Sequence, residues 1–124
     1  MTIRIYYEDT DAGGIVYHTN YIKYCERARS ELFFSRGLIP AEGSSGGFVV
    51  HHISADFIAS ASLGELMEVK SQILSLKRSY MILQQDIYKK EKKIFSMEIK
   101  LAYISDAKVS RIPTHFLEVL ENML

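Results

Sequence analysis

The stretch Tyr7–Glu31, YEDTDAGGIVYHTNYIKYCERARSE, holds most of the side chains in this chain that could do chemistry. Glu8, Asp9 and Asp11 bring carboxylates close together, Gly13-Gly14 signals a turn behind them, and His18 stands where a helical pattern begins. A helix start presents unpaired N–H groups and the positive end of the helix dipole. Such donors can hold a carbonyl and stabilise the oxyanion formed when it is attacked. A carboxylate beside them can attack that carbonyl or activate a water. Asp11, next to the glycines, is the first candidate, and Asp9 and Glu8 compete with it. Aspartates in such positions more often cap a turn or a helix, and spacing alone does not separate the two roles.

His18 lies within one turn of the helix start, where its ring could donate to a substrate, orient a water or satisfy a loop backbone group. Its backbone N–H could join the oxyanion site whatever the ring does. Cys25 stands seven positions later but on the apolar stripe, where a small buried hydrophobe is expected. No metal site is expected: His51 and His52 are adjacent in a strand and point to opposite faces, His115 is distant, and HExxH and CxxC spacings are missing. Gly13-Gly14 alone is not a phosphate loop. Lys77-Arg78 and the tip Lys89–Lys93 could hold the phosphates of a ligand tail, although charged turns of this kind usually serve as solvated, aggregation-resistant edges.

Those residues need elements to position them. Thr2–Tyr7 reads as a short strand. Asn20 is a suitable helix N-cap, followed by Tyr21, Cys25, Ala28 and Leu32 at helical spacing, with Tyr24 and Phe33 widening the apolar face. Lys23, Glu26, Arg27 and Arg29 supply the polar face, and Gly37 is the C′ residue with Pro40 beyond it. Ala41–Gly47 reads as a flexible loop. Four strands follow, over residues 48–57, 65–76, 80–88 and 95–103. The first places Val49, Ile53, Ala55 and Phe57 on one face, and the last alternates Phe95, Met97, Ile99, Leu101 and Tyr103 with Ser96, Glu98, Lys100 and Ala102. Short connections suggest an antiparallel meander. After Pro113, the residues Phe116, Val119, Leu120 and Met123 form a short amphipathic helix. One long helix against one antiparallel sheet is a two-layer α+β arrangement.

The 124 residues suit a single domain, 1–124, with a hydrophobic core. A formal net charge of zero gives no reason to expect nucleic-acid or anionic-membrane binding. One cysteine cannot form an internal disulfide, no apolar run is long enough to span a bilayer, and the N-terminus lacks an apolar signal core. A cytoplasmic protein is expected.

The run EDTDAGGIVYHTNYIKYCERARSELF, with the later HHISADFIASASLGELMEV, resembles the hot-dog acyl-CoA thioesterases of the YbgC type within the wider 4-hydroxybenzoyl-CoA thioesterase family. The resemblance implies a hot-dog fold, a curved antiparallel five-stranded sheet wrapped around one long central helix with a short C-terminal helix. It also implies hydrolysis of an acyl-CoA to a free acid and coenzyme A without cofactor. Subunits of this family join their sheets into homodimers or homotetramers, with active sites at the interface. Asp11 matches the catalytic carboxylate, and the amides from Gly14 through Val16 and Tyr17 to His18 match the oxyanion site. The His18 ring matches the subgroup's histidine, and Tyr7 an aromatic residue at the site entrance. Lys77 and Arg78 are carried over as coenzyme A contacts on weaker grounds. Glu26 occupies the helix on which another branch carries its glutamate. The alternatives are a hot-dog dehydratase or hydratase using His18 with Glu26, and a non-catalytic module binding acyl-CoA or acyl carrier protein.

Overall fold

A computed structural model describes residues 1–42 and 46–124, the side chain of Glu42 excepted. The chain begins with β1 (Thr2–Arg4), which is shorter than expected because Tyr7–Asp9 wind into a single 3-10 turn. The long helix α1 spans His18–Phe34, and its N-cap is Tyr17, not Asn20. Asn20 lies inside the first turn, where its side-chain amide holds the entering loop by donating to the Asp9 carbonyl at 2.9 Å. The far end closes as expected. Gly37 adopts φ +73°, its N–H donates to the Phe34 carbonyl, and the Leu38 N–H reaches back to Phe33.

The sheet comprises β3 (Gly46–Phe57), β4 (Leu66–Leu76), β5 (Tyr80–Lys89) and β6 (Lys92–Ser105), together with β1. Two-residue ladders, β2 (Ala41–Glu42) on β3 and β7 (Lys108–Val109) on β6, extend it. The loop expected over Ala41–Gly47 therefore contains paired backbone at both ends, and its positions 43–45 lie outside the described residues. The strand order β1-β4-β5-β6-β3-β2 is antiparallel throughout. Only β4-β5-β6 is a meander. β3 crosses to the far side of β6, so the expected sequential order fails there.

The pleat accounts for most of the core. Met67, Val69 and Ile73 of β4, Met81, Leu83 and Ile87 of β5, and Phe95, Met97, Ile99, Leu101 and Tyr103 of β6 are buried against α1. In β3 a bulge between Val50 and His52 shifts the alternation by one residue. Phe48 packs on the core before the bulge and Ile53 and Ala55 after it, while Val49, expected inside, is exposed. The helix buries Tyr21, Tyr24, Cys25, Ala28, Arg29 and Phe33. Arg29 was expected on the polar face and lies beneath the helix instead. The short helix α2 (Thr114–Glu121) closes the far end of the core by placing Phe116 against Phe33, Phe48 and Tyr103.

Candidate active site

Residues 10–16 form a miniature hairpin between β1 and α1. Thr10 pairs with Val16, the Asp11 N–H donates to the Ile15 carbonyl at 2.9 Å, and the Gly14 N–H donates back to the Asp11 carbonyl at 3.0 Å. Gly14 takes φ +79° at the tip, a conformation open to glycine at little cost. Asp11 is exposed, and its Oδ1 accepts the Gly13 N–H at 2.8 Å. Its Oδ2 has no hydrogen-bond partner among the described residues. One carboxylate oxygen is thus held and the other is available.

The competing carboxylates differ. Asp9 is committed to structure: its Oδ2 accepts the Tyr6 N–H at 2.8 Å, and its carbonyl accepts from Tyr17 and Asn20. Asp9 also lies near the buried Tyr24 phenol, whose pKa is raised by burial first and by this carboxylate second. The Tyr24 hydroxyl has no hydrogen-bond partner among the described residues. Glu8 is exposed and makes no side-chain hydrogen bond among those residues.

The hairpin is fastened to the sheet through the 58–65 connection. The Val16 N–H donates to the Ala61 carbonyl at 2.9 Å, and Ile15 lies opposite Ser62. Tyr21 reaches up from α1, stacked on Phe95 at 5.4 Å, and its hydroxyl accepts the Ala61 N–H at 3.0 Å. Glu65 accepts the Ser62 N–H and pairs with Lys89 at 3.3 Å, and Lys89 donates to the Ser60 carbonyl. The lysine-rich β5–β6 tip therefore stands at the same end of the sheet as Asp11.

The amides from Gly14 to His18 are not equivalent donors. Gly14, Val16 and Tyr17 already donate to the carbonyls of Asp11, Ala61 and Asp9, whereas the Ile15 N–H, in the hairpin, has no acceptor among the described residues. The His18 N–H, first in the helix, has no acceptor among the described residues and points with the dipole. Its ring is exposed, 4.6 Å from the Tyr17 ring and 6.0 Å from that of Phe57. Tyr7 and Tyr17 are also exposed around the hairpin. Phe57 was seen in the sequence only as a strand residue. The signal that could have placed it here is its position at the end of an alternating run, where the pleat loses its cover.

Lys77 and Arg78 do not join this group within one protomer. They form the β4–β5 turn, where the Ile112 N–H docks on the Arg78 carbonyl and Leu117 and Glu121 share a shallow cleft with them. The eleven residues of β4 separate that turn from the Asp11 end by about 35 Å. Cys25 is fully buried, and burial pushes its thiol up to about 12, far from a thiolate nucleophile. His51 is the extra residue of the β3 bulge, and both it and His52 are exposed. Among the described residues no group of three His, Cys, Asp or Glu side chains could hold a metal ion.

A curled antiparallel sheet closed over one long helix, with a carboxylate-bearing hairpin at the helix start, defines a protein of the hot-dog class. The chain belongs to the thioesterase superfamily, whose family model matches residues 13–96. That span takes in the glycine pair, His18 and α1 and begins two residues after Asp11. The chain is 44% identical to an acyl-CoA thioesterase, YbgC, of Helicobacter pylori, over 97% of this chain and 98% of that one. It is 38% identical to the acyl-CoA thioester hydrolase YbgC of Escherichia coli O6:H1, over 72% of this chain and 68% of that one. Among solved structures it resembles a probable thioesterase from Bartonella henselae, with a TM-score of 0.84 and 30% identity over 91% of this chain and 97% of that one.

Proposed function

We propose that this protein is an acyl-CoA thioesterase and that Asp11 carries the reaction. The observation behind the assignment is the Asp11 carboxylate, anchored through Oδ1 with Oδ2 available, on a hairpin that leads directly into the unengaged His18 N–H. The thioester carbonyl sits against that N–H. Either Oδ2 adds to the carbonyl carbon or it takes a proton from an attacking water. Charge gathers on the carbonyl oxygen, where the N–H and the helix dipole stabilise it. The C–S bond then breaks and coenzyme A leaves as its thiolate, a good leaving group. In the covalent route water hydrolyses the resulting anhydride, releasing the free acid and restoring the carboxylate. The His18 ring positions the substrate or the water, and Tyr7 and Tyr17 flank the entrance. The N–H groups of Gly14, Val16 and Tyr17 are engaged in the hairpin. Of the two left without acceptors among the described residues, Ile15 and His18, it is His18 that opens the helix and carries its dipole, which makes it the principal amide donor.

The reading places a second copy of the chain against the outer edge of β3. Beyond Gly47 no described strand runs along that edge, and Val50 and Phe57 are half exposed there. An antiparallel two-fold pairing would set the Phe57 end of one chain beside the Gly46 end of its partner. The β4–β5 turn lies at that same end, since the Tyr103 N–H docks on the Ser79 carbonyl and Tyr103 pairs with Phe48. Lys77 and Arg78 of the partner subunit would then serve this chain's site, consistent with a coenzyme A role. No described helix is long and apolar enough to cross a membrane, and a buried, unpaired cysteine suits the cytoplasm.

The dehydratase alternative is less well supported. It needs His18 and Glu26 to act on one chain, and the eight residue steps from one to the other span about 12 Å of helix.

The test is free-thiol release from short, medium, long and aromatic acyl-CoAs, with acyl carrier protein thioesters in parallel. Asp11→Asn should lower kcat by about a hundredfold or more with the melting temperature unchanged. Near wild-type turnover in that variant would sink the assignment.

A further inference from the structure

Arg29 is 9% exposed, and its Nη1 donates to the Gln85 Oε1 at 2.9 Å. Gln85, fully buried on β5, passes its own amide hydrogens to the Cys25 carbonyl and the Ser71 hydroxyl, each at 2.9 Å. The partner of this cation is therefore neutral. Among the described residues no carboxylate lies within ion-pair distance of Arg29. Glu26, one turn earlier, accepts the Ser30 hydroxyl at 3.1 Å and acts on the guanidinium only at a distance, without pairing with it. Buried charges are normally paired, so this guanidinium retains a strong attraction for an anion.

It also has a cavity beside it. A volume of about 240 Å³ opens between α1 and the sheet, with Arg29, Glu26 and Ser30 in its polar wall and Phe33, Phe48, Val50, Met81 and Leu101 among its apolar lining. Neither Asp11 nor His18 lines it. Nevertheless it lies on the same seam as the candidate site. α1 and β3 run past each other with His18 beside Phe57 at one end and Phe33 beside Phe48, 5.7 Å apart, at the other. The eleven residue steps from His18 to Arg29 set the two within about 20° of each other around the helix and about 16 Å apart along it. The half-buried Ile22 lies between them, packed on the core.

We propose that Arg29 is a specificity residue for acyl chains ending in a carboxylate, the thioester carbonyl lying at the His18 amide and the distal acid entering the cavity to pair with the guanidinium. This rests on the thioesterase reading above. An apolar lining suits the methylene chain, and a planar guanidinium with unused donors suits a carboxylate at its end.

The experiment pairs ω-carboxyacyl thioesters with methyl-ended ones of equal length, suberoyl-CoA against octanoyl-CoA and sebacoyl-CoA against decanoyl-CoA. Wild type should favour the acid-ended member by about tenfold in kcat/KM, chiefly through KM, because the group is remote from the reacting carbon. Arg29→Gln should erase the preference and Arg29→Lys should retain part of it. Equal rates within each pair in wild type, or a preference that survives in Arg29→Gln, would overturn the proposal. A second measurement on wild type alone covers a variant that fails to fold: calorimetric titration with S-(ω-carboxyalkyl)-CoA and S-alkyl-CoA thioethers of equal length, which cannot be hydrolysed. Tighter binding of the acid-ended thioether supports the proposal, and equal binding rejects it. If no thioester is turned over, the thioesterase reading fails on its own and the thioether titration still decides the role of Arg29.

Discussion

Asp11 is aimed by a single N–H, that of Gly13, and this makes the neighbouring position sensitive. A Cβ at Gly13 would stand 3.2 Å from Asp11 Oδ1, so Gly13→Ala must push the carboxylate aside. We expect about 1 kcal/mol of lost transition-state stabilisation, roughly fivefold in kcat, with an unchanged melting temperature. Gly14→Ala should act differently, because its φ of +79° penalises any side chain while nothing crowds it. A loss of about 1 kcal/mol of stability, read as a lower urea midpoint, is expected there. Cys25 has a practical consequence for the thiol-release assay. A fully buried thiol pushed up to about 12 should not react with Ellman's reagent until the chain is unfolded, so native protein should add no background colour. At this scale the sequence was most informative about residue types. It singled out Asp11 and His18 as candidates, but it could not separate the engaged amides of Gly14, Val16 and Tyr17 from the unengaged ones of Ile15 and His18, since that depends on carbonyls of residues 9, 11 and 61 meeting them in space.

Among the elements, α1 was legible because its apolar spacing is regular and Gly37 ends it in the left-handed conformation. Its start was misplaced because Asn20 looks like a cap and acts as a clamp on Asp9. Arg29 was misassigned for a related reason: periodicity assigns charge to the surface, and only the amide of Gln85 across the core allows this charge to turn inward. Gln85→Leu should therefore cost about 2–3 kcal/mol in chemical denaturation, leaving the guanidinium, the Cys25 carbonyl and the Ser71 hydroxyl without their partner. The bulge in β3 could not be read from alternation either. It exchanged Val49 for Phe48 as the core residue, and without it the aromatic contacts of Phe48 with Phe33, Tyr103 and Phe116 would not coexist with Ile53 and Ala55 on the core face.

For the whole molecule, the two-layer class followed from one helical period and several pleated ones, whereas strand order did not. A period of two identifies the face of a strand and leaves its neighbours open, so the crossing of β3 to β6 appeared only in three dimensions. The sheet's response to acid follows from Asp86. Burial alone would raise its pKa, but the Ser96 hydroxyl, the Gln84 amide and Lys93 together hold it below the ordinary carboxylate value. A lowered folded pKa stabilises the protein above the unfolded value of about 3.9, and that stabilisation is lost as pH falls through the folded one. Urea midpoints measured at neutral pH and in acid should thus converge in Asp86→Asn compared with wild type.

The uncovered edge of β3 has a kinetic consequence. If a second copy supplies the opposite wall of the site, as proposed, catalytic competence is governed by mass action between chains. Specific activity per milligram would then be constant at high protein concentration and decline on dilution below the dissociation constant of the pair. A progress curve started from a concentrated stock would begin fast and slow down as the pairs separate. A dilution series monitored for thiol release would reveal that drift, and a chain complete in itself would give the same turnover at every dilution.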